Sequence, residues 1–228
     1  ANFHGMTLAL RRPLSKGFGW DFNYTWSHSI DNSSAVESGA GSSGAIIQDS
    51  FDYSSFRGSS DFDIRHNVTA NTVVELPFGR GKHFLNNAGS FLNQIVGGWE
   101  IGMIARYNSA LPTTISNSGV YPTNYLNSAV AIVKPGATVE TKMGFDEIGN
   151  PSIFATRDAV DNFVGQYPGQ TGTRAIIRLN SMLNFDANFA KRFFLPFEGH
   201  SLQLRGEMFN AFNNVNFTNP VLRLDQIV

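Results

Sequence analysis

Residues 18–28 read Phe18-Gly19-Trp20-Asp21-Phe22-Asn23-Tyr24-Thr25-Trp26-Ser27-His28. The even positions carry five aromatic side chains and a histidine, and the odd positions carry only small or polar residues. Successive side chains of a strand point to opposite faces, so this period of two predicts a β-strand with one aromatic face. A helix would scatter the same residues around its circumference, and we therefore reject a helix here.

The aromatic face of this predicted strand needs an apolar partner. A soluble sheet would bury it in a protein core, whereas a membrane barrel would turn it to lipid. Burying five such side chains is worth roughly 1.5–3 kcal/mol each. Aromatic residues lie at both ends of the segment, as in the girdles of membrane barrels, and about ten residues suffice for a tilted strand to cross a bilayer. The segment favours a transmembrane strand.

The composition supports this interpretation. Charged residues make up 15% of the 228 residues, against roughly 25% in soluble domains. No stretch approaches the length of an apolar transmembrane helix, but transmembrane strands escape hydropathy analysis because every second residue is polar. The net charge of −1 gives no indication of nucleic-acid binding, and the lack of Cys excludes disulfides and thiolate metal sites. No signal peptide opens the sequence.

The same alternation predicts further strands along the chain. We expect strands near residues 3–12, 18–28, 63–76, 98–108, 179–191 and 200–210. The connections 29–62 and 109–173 are predicted to be long loops, whereas 13–17 and 192–199 are predicted to be short turns. Outer-membrane barrels have this asymmetry, with short periplasmic turns and long extracellular loops. The sequence therefore predicts an all-β fold of about six antiparallel, up-and-down transmembrane strands, followed by a polar tail that leads away.

Four separated runs resemble the C-terminal barrel of TonB-dependent outer-membrane receptors. They read FNYTWSHSIDNSS, SDFDIRHNVTANTVVELPFGRGK, GGWEIGMIARYNSALP and LQLRGEMFNAFNNVNFTNP. The branch they most resemble is the Oar-like one, whose members carry a carboxypeptidase-regulatory-like domain. The resemblance implies a 22-stranded barrel in the bacterial outer membrane, filled by a plug domain and driven by the TonB complex. It also implies active uptake or export of a large or scarce substrate.

The chain departs from that family pattern at both ends. It has no plug, no TonB box, no early strands and no closing strand, and we therefore expect residues 1–228 to be the C-terminal part of a receptor barrel. A physical argument points the same way, because eight strands are about the fewest that close a membrane barrel. Open strand edges in lipid would leave backbone groups unpaired, at several kcal/mol each.

Two sets of residues are predicted to have roles in such a barrel. Charged residues on the predicted lumen face are expected to form solvated ion pairs and, in an intact receptor, to meet the plug: Glu75, Glu100, Arg106, Asp186, Arg205 and Glu207. Aromatic residues near the strand ends are expected to anchor the barrel at the membrane interfaces: Phe18, Trp20, Trp26, Trp99 and Tyr107. Outer-membrane lipid is thus a predicted partner.

No catalytic, cofactor or metal site is predicted. The five His residues lie in different predicted elements without ligand spacing. Gly79-Arg80-Gly81-Lys82 lacks the spacing of a phosphate loop. Asp158, Asp161 and Asn162 could offer oxygen ligands to Ca²⁺, but their spacing is not that of an EF-hand.

Two alternative functions remain open. A soluble β-sandwich module that binds carbohydrate would use the aromatic residues as a core or as stacking platforms, but it predicts shorter strands and shorter loops. An outer-membrane barrel enzyme would place its site at the loop rim, where no Ser, His and Asp form a recognisable group. The sequence does not indicate a substrate, and ligand recognition is expected in loops 29–62 and 109–173.

Overall fold

In a computed structural model of the protein, six long strands form one antiparallel sheet. The structure describes residues 1–34, 49, 51–117, 129–139, 141–145, 149, 151–154, 157–165, 170, 172–195, 199–217 and 222. The strands are β1 (Asn2–Ser15), β2 (Phe18–Asp31), β3 (His66–Glu75), β4 (Trp99–Asn108), β5 (Met182–Phe194) and β6 (Ser201–Met208). Each pairs with the next strand along the chain. The predicted all-β, up-and-down fold is confirmed.

The connections carry short elements. One helix, α1 (Ser90–Val96), lies between β3 and β4, and a 3-10 helix spans Arg157–Asn162. Two-residue strands or slightly longer ones occupy Gly58–Ser59, Pro112–Thr113, Ser116–Asn117, Ala129–Val130, Ile132–Val133, Thr141–Phe145, Pro151–Phe154, Phe163–Val164 and Ile177–Arg178. No helix in the described part of the chain is long and apolar enough to cross a membrane.

The strand register gives the sheet two chemically different faces. Trp20 lies opposite Thr72, and Thr72 lies opposite Met103, so these side chains share one face. This apolar face includes Met6, Leu8, Leu10, Trp20, Phe22, Tyr24, Val68, Val74, Ile101, Met103, Leu183, Phe185, Phe189, Leu202 and Leu204. The opposite, polar face includes Asp21, Asn23, Thr25, Asn67, Thr69, Asn71, Glu75, Glu100, Arg106, Asn184, Asp186, Asn188, Arg205 and Glu207.

Short and long connections lie at opposite ends of the sheet. At the turn end, Lys16 and Gly17 join β1 to β2 with φ angles of 54° and 78°, as a tight hairpin turn requires. A Cβ atom on Gly17 would lie 3.2 Å from the carbonyl oxygen of Glu75. At the loop end, the β2–β3 and β4–β5 connections span residues 32–65 and 109–181.

Several strand bounds differ from the predicted ones. The β5 strand lies three residues further along the chain than 179–191, because the backbone N–H of Leu179 donates to Leu111 in the loop. Phe193, predicted to lie in a turn, instead pairs with Leu202 of β6. The β1 strand runs past Pro13 to Ser15 with a shift in register; an edge strand tolerates Pro because one side of its backbone has no partner.

The long β4–β5 connection has a hydrophobic core of its own, which the lack of periodicity in 109–173 did not predict. Its buried members are Ile115, Ala131, Ile153, Phe154, Phe163, Ile177 and Leu222. We call this packed unit the cap.

The prediction of a C-terminal tail that leads away was wrong. After β6 the chain continues along β5 toward the loop end, where the N–H of Ala211 donates to Phe185 and the side chain of Asn216 bonds to the backbone of Leu183. Leu222 then joins the cap core. Asn210 and Asn213 have positive φ in this segment, and a polar composition alone did not reveal its path.

Candidate functional site at the polar face and the loop end

The register places all six predicted charged residues on the polar face. Arg106 Nη1 lies 3.1 Å from Asp186 Oδ2, and Arg205 Nε lies 2.8 Å from Glu207 Oε1. Asp186 also accepts hydrogen bonds from the backbone N–H of Asn210 and the amide of Asn184. Mixed-sign pairs therefore run along this face. Whether they line a lumen and meet a plug stays a prediction.

The ion pairs do not form one continuous ladder. Glu75 and Glu100 lie directly opposite each other on β3 and β4, where like charges repel. Glu75 pairs instead with Lys82 of the turn end, at 2.7 Å. These residues line a pocket of about 170 Å³ that also contains Arg80 and Arg192. The turn end of the polar face is thus a concave site that carries both charges.

The five predicted anchor residues all lie on the apolar face, at two levels. Phe18 and Trp99 lie near the turn end, and Trp20 is one pair further in. Trp26 and Tyr107 lie near the loop end. Trp26 is eight positions after Phe18, about 26 Å along a strand. A strand tilted by about 35–45° converts this length to about 20 Å of height, within the apolar band of about 25 Å in outer-membrane barrels. Their contact with the membrane interface stays a prediction.

At the loop end, a buried carboxylate joins the two long connections. The side chain of Asp63 is fully buried and accepts hydrogen bonds from the backbone N–H of Ser29 at 2.7 Å and from Arg65 Nε at 2.9 Å. Arg178, from the β4–β5 connection, also pairs with Asp63 and donates to the carbonyl oxygen of Ala110. One carboxylate therefore holds β2 and both long connections together.

The ionisation of Asp63 follows from these contacts. Burial raises the pKa of its carboxyl group, but the hydrogen bonds from the Ser29 backbone and from Arg178 and Arg65 outweigh burial and lower the pKa to about 2. Asp63 is therefore an anion at neutral pH, as its two arginine partners require.

A second buried centre lies beside the first. The guanidinium group of Arg174 is fully buried and lies 2.5 Å from Asp31 Oδ1 and 3.5 Å from Asp61 Oδ1. The guanidinium group also donates to the hydroxyl of Ser34. Its Cζ atom lies 5.9 Å from the centroid of the Phe56 ring. Burial raises the pKa of Asp61 despite the charge of Arg174. This centre again links the two long connections.

Sequence reasoning missed both buried centres, although a signal was present. Asp61, Asp63 and Arg65 stand at alternate positions just before β3, and Arg174 and Arg178 stand just before β5. Charges concentrated where long loops meet strands can mark ion pairs, but only the fold brings positions more than 100 residues apart into contact. The strand predicted for 63–76 begins only at His66, and Asp63 lies before it in the connection, where its side chain is buried.

The histidines have no metal-binding arrangement. His28 Nδ1 lies 3.3 Å from Asp63, and His66 Nδ1 lies 2.9 Å from the hydroxyl of Tyr24. Among the described residues, no three His, Cys, Asp or Glu side chains come together to hold a metal ion. Of the Ca²⁺ candidates, the side chain of Asp158 lies outside the described residues.

Comparison with known proteins identifies a family for nearly the whole chain. A family model described as an outer membrane beta barrel domain matches residues 1–226. No curated protein and no solved structure matches the chain.

Proposed function

We propose a transport function for this chain, which belongs to the outer membrane beta barrel domain family and lies in the bacterial outer membrane. It forms part of the barrel of a TonB-dependent transporter, similar to the Oar-like receptors. The transporter moves a large or scarce substrate across the outer membrane with energy from the TonB complex. The four runs that resemble these receptors support this assignment.

The observation that carries the proposal is the fastening of both long connections to the loop end of the sheet. Asp63 pairs with Arg178 and Arg174 pairs with Asp61, so each pair joins a segment of 32–65 to one of 109–181, and the cap adds a hydrophobic core. A passive pore needs an open channel and does not need loops fixed in one arrangement for recognition. Loops held on a rigid scaffold suit the recognition of a specific ligand, as a transporter for a scarce substrate needs.

The edges of the sheet support a larger barrel. In the described part of the chain, β1 pairs only with β2, and β6 pairs only with β5. Open edges in lipid are costly, so the two edges need further strands. The receptors that the chain resembles supply them in a 22-stranded barrel, with a plug facing the polar side.

Transport without catalysis is part of the same proposal. His28 and Asp63 have the spacing of a His–carboxylate pair, but Arg65 Nη2 lies 3.2 Å from His28 Nε2. That nitrogen therefore faces a cation and is not placed to take a proton from a serine. The soluble carbohydrate-binding alternative fails, because the chain lies in the outer membrane and the apolar face meets no second sheet in the described residues.

The test is the permeability of the full-length protein in liposomes. We expect liposomes that contain it not to swell in an isotonic solution of arabinose, because a plug closes the barrel at rest. A variant that lacks the proposed plug should admit the sugar. Liposomes with a known open porin give the full rate of swelling.

Two results would overturn the assignment. Rapid swelling with the intact protein would identify a passive pore. Equal, slow swelling with and without the proposed plug would show that no plug closes the barrel.

A further inference from the structure

The apolar face of β5 carries a buried cation. Lys191 lies opposite Trp99 on β4 and Leu204 on β6, so its side chain shares the apolar face with them. The residue is only 5% exposed. Its nitrogen lies 5.4 Å from the ring centroid of Trp99 and 5.0 Å from that of Phe193. A lysine in this position is costly next to lipid unless an anion or a strong acceptor meets it.

The protein satisfies only part of this ammonium group. Its hydrogen bond to a described residue goes to the carbonyl oxygen of Gly97, and none of the described carboxylates pairs with it. An ammonium group has three donors. Among the described residues, two of these donors have no oxygen or nitrogen acceptor, and only the rings of Trp99 and Phe193 face the charge.

An apolar groove of about 570 Å³ starts at this lysine. Its walls include Phe189, Phe193 and Leu204, and its floor includes Gly206. A Cβ atom on Gly206 would meet no other atom within 4 Å, so the absence of a side chain keeps the groove open. The volume and the apolar lining of the groove suit an acyl chain, with the charged end of the lipid at Lys191.

Helix α1 closes the groove at the turn end. Gln94 donates to the carbonyl oxygen of Phe194 at 2.5 Å, and the indole N–H of Trp99 donates to Ile95 at 3.0 Å. The helix keeps Phe91 and Ile95 largely exposed, at 82% and 54%. Exposed apolar side chains on a short helix at a strand end are typical of an element that lies in the membrane interface.

We propose that this groove binds one anionic glycerophospholipid molecule from the leaflet at the turn end. The phosphate pairs with Lys191, and one acyl chain lies over Gly206 between Phe189 and Leu204. Charge complementarity selects an anionic headgroup, and the apolar groove selects a lipid over free phosphate. The inference rests on the outer-membrane location and not on transport, so either proposal can fail without the other.

The experiment is native mass spectrometry of the full-length protein in detergent micelles with dioleoylphosphatidylglycerol or dioleoylphosphatidylcholine. We expect preferential retention of phosphatidylglycerol. Lys191→Met should lower that retention about fivefold, as expected for one lysine charge at a membrane surface, and Lys191→Arg should restore most of it. Gly206→Leu fills the groove without touching the lysine and should also lower retention. Arg192→Met, which removes the neighbouring cation on the polar face and does not line the groove, is the matched control.

Each other outcome contradicts the proposal. Unchanged retention in Lys191→Met would show that the lysine only donates a hydrogen bond to Gly97, and an equal loss in Arg192→Met would show unspecific charge attraction. Equal retention of the two lipids would remove the anionic selectivity. Inorganic phosphate that displaces the lipid, together with an unaffected Gly206→Leu, would identify a plain phosphate site. Should Lys191→Met fail to fold, Gly206→Leu alone decides.

Discussion

The sheet and the cap place their apolar and charged groups in opposite ways. On the sheet, apolar side chains such as Leu10 and Leu204 are about half exposed. In the cap, Ile115 and Phe163 are almost fully buried. The cap is therefore built like a small water-soluble domain, while the sheet has its apolar groups on the outside and depends on lipid for their burial.

The charged groups differ in the same way. On the polar face, Arg106 keeps half of its side chain exposed, and its ion pair is open to water. We call the two buried centres around Asp63 and Arg174, at the loop end of the sheet, the root of the cap. The side chains of Arg174 and Asp63 have no exposed surface there. Buried ion pairs are costly to break because one charge is then left without a partner. Native ion pairs should therefore matter more at the root of the cap than on the polar face of the sheet.

The largest expected effect comes from a charge on the lipid side of the sheet. Ala70 lies halfway between the two aromatic levels, opposite Phe22 and Ala105. Ala70→Arg should lower the free energy of unfolding in lipid vesicles by about 2–4 kcal/mol. Asn71→Arg, the next residue on the polar face, should cost less than about 1 kcal/mol. Urea titrations of the full-length protein in vesicles measure both. Equal losses would show that the two faces do not differ in their surroundings.

A smaller effect is expected from acid at the root of the cap. The pKa of Asp63 is about 2 in the folded protein, whereas the ordinary value of an Asp side chain, expected in the unfolded chain, is 3.8. Because the folded value is depressed, the stability from Asp63 is present above about pH 4 and is lost as pH falls toward 2. The contribution is about 1–2 kcal/mol, since Arg65 and Arg178 are about one-third exposed and partly screened.

Pepsin cleavage of the cap between pH 4 and 2 measures this loss. As the pH falls, we expect the cleavage rate of the unmodified protein to increase by a larger factor than that of Asp63→Asn. The variant is already destabilised at pH 4 and lacks the carboxyl group that titrates. Asp61 acts in the opposite direction, because burial raises its pKa and favours the folded state at lower pH. Asp161→Asn, at an exposed position of the cap, is the control. The same pH profile in Asp63→Asn would exclude Asp63 as the cause.

The sheet could be predicted from the sequence because its signal is local. Alternation along β2 depends only on neighbours in the chain, and register then places Trp20, Thr72 and Met103 on one face. The charged residues of the polar face followed from the same alternation. Their partners did not: Glu75 bonds to Lys82 of the turn and not to the strand beside it.

The cap could not be predicted because its contacts join distant residues without a repeating pattern. Ile115 and Leu222 belong to one hydrophobic core. Next to Ile115, the hydroxyl of Ser116 donates to the carbonyl oxygen of Leu222, 106 positions further along the chain. Lys191 shows the same limit on a small scale. Alternation places it on the apolar face, but only the structure shows the groove beside it.

The smallest effect is expected from the exposed ion pair of the polar face. A double-mutant cycle with Arg106→Met and Asp186→Asn should give a coupling free energy below about 1 kcal/mol, because water and salt reach the half-exposed Arg106, although the side chain of Asp186 is only 15% exposed. Asp186→Asn alone should cost more than Arg106→Met alone, since Asp186 also accepts from Asn210 and Asn184. The cycle for Arg11 and Asp21, which lie 3.1 Å apart, is the matched control. A large coupling at Arg106 that persists in high salt would mean that the polar face is shielded from water, and the contrast between the sheet and the root of the cap would then disappear.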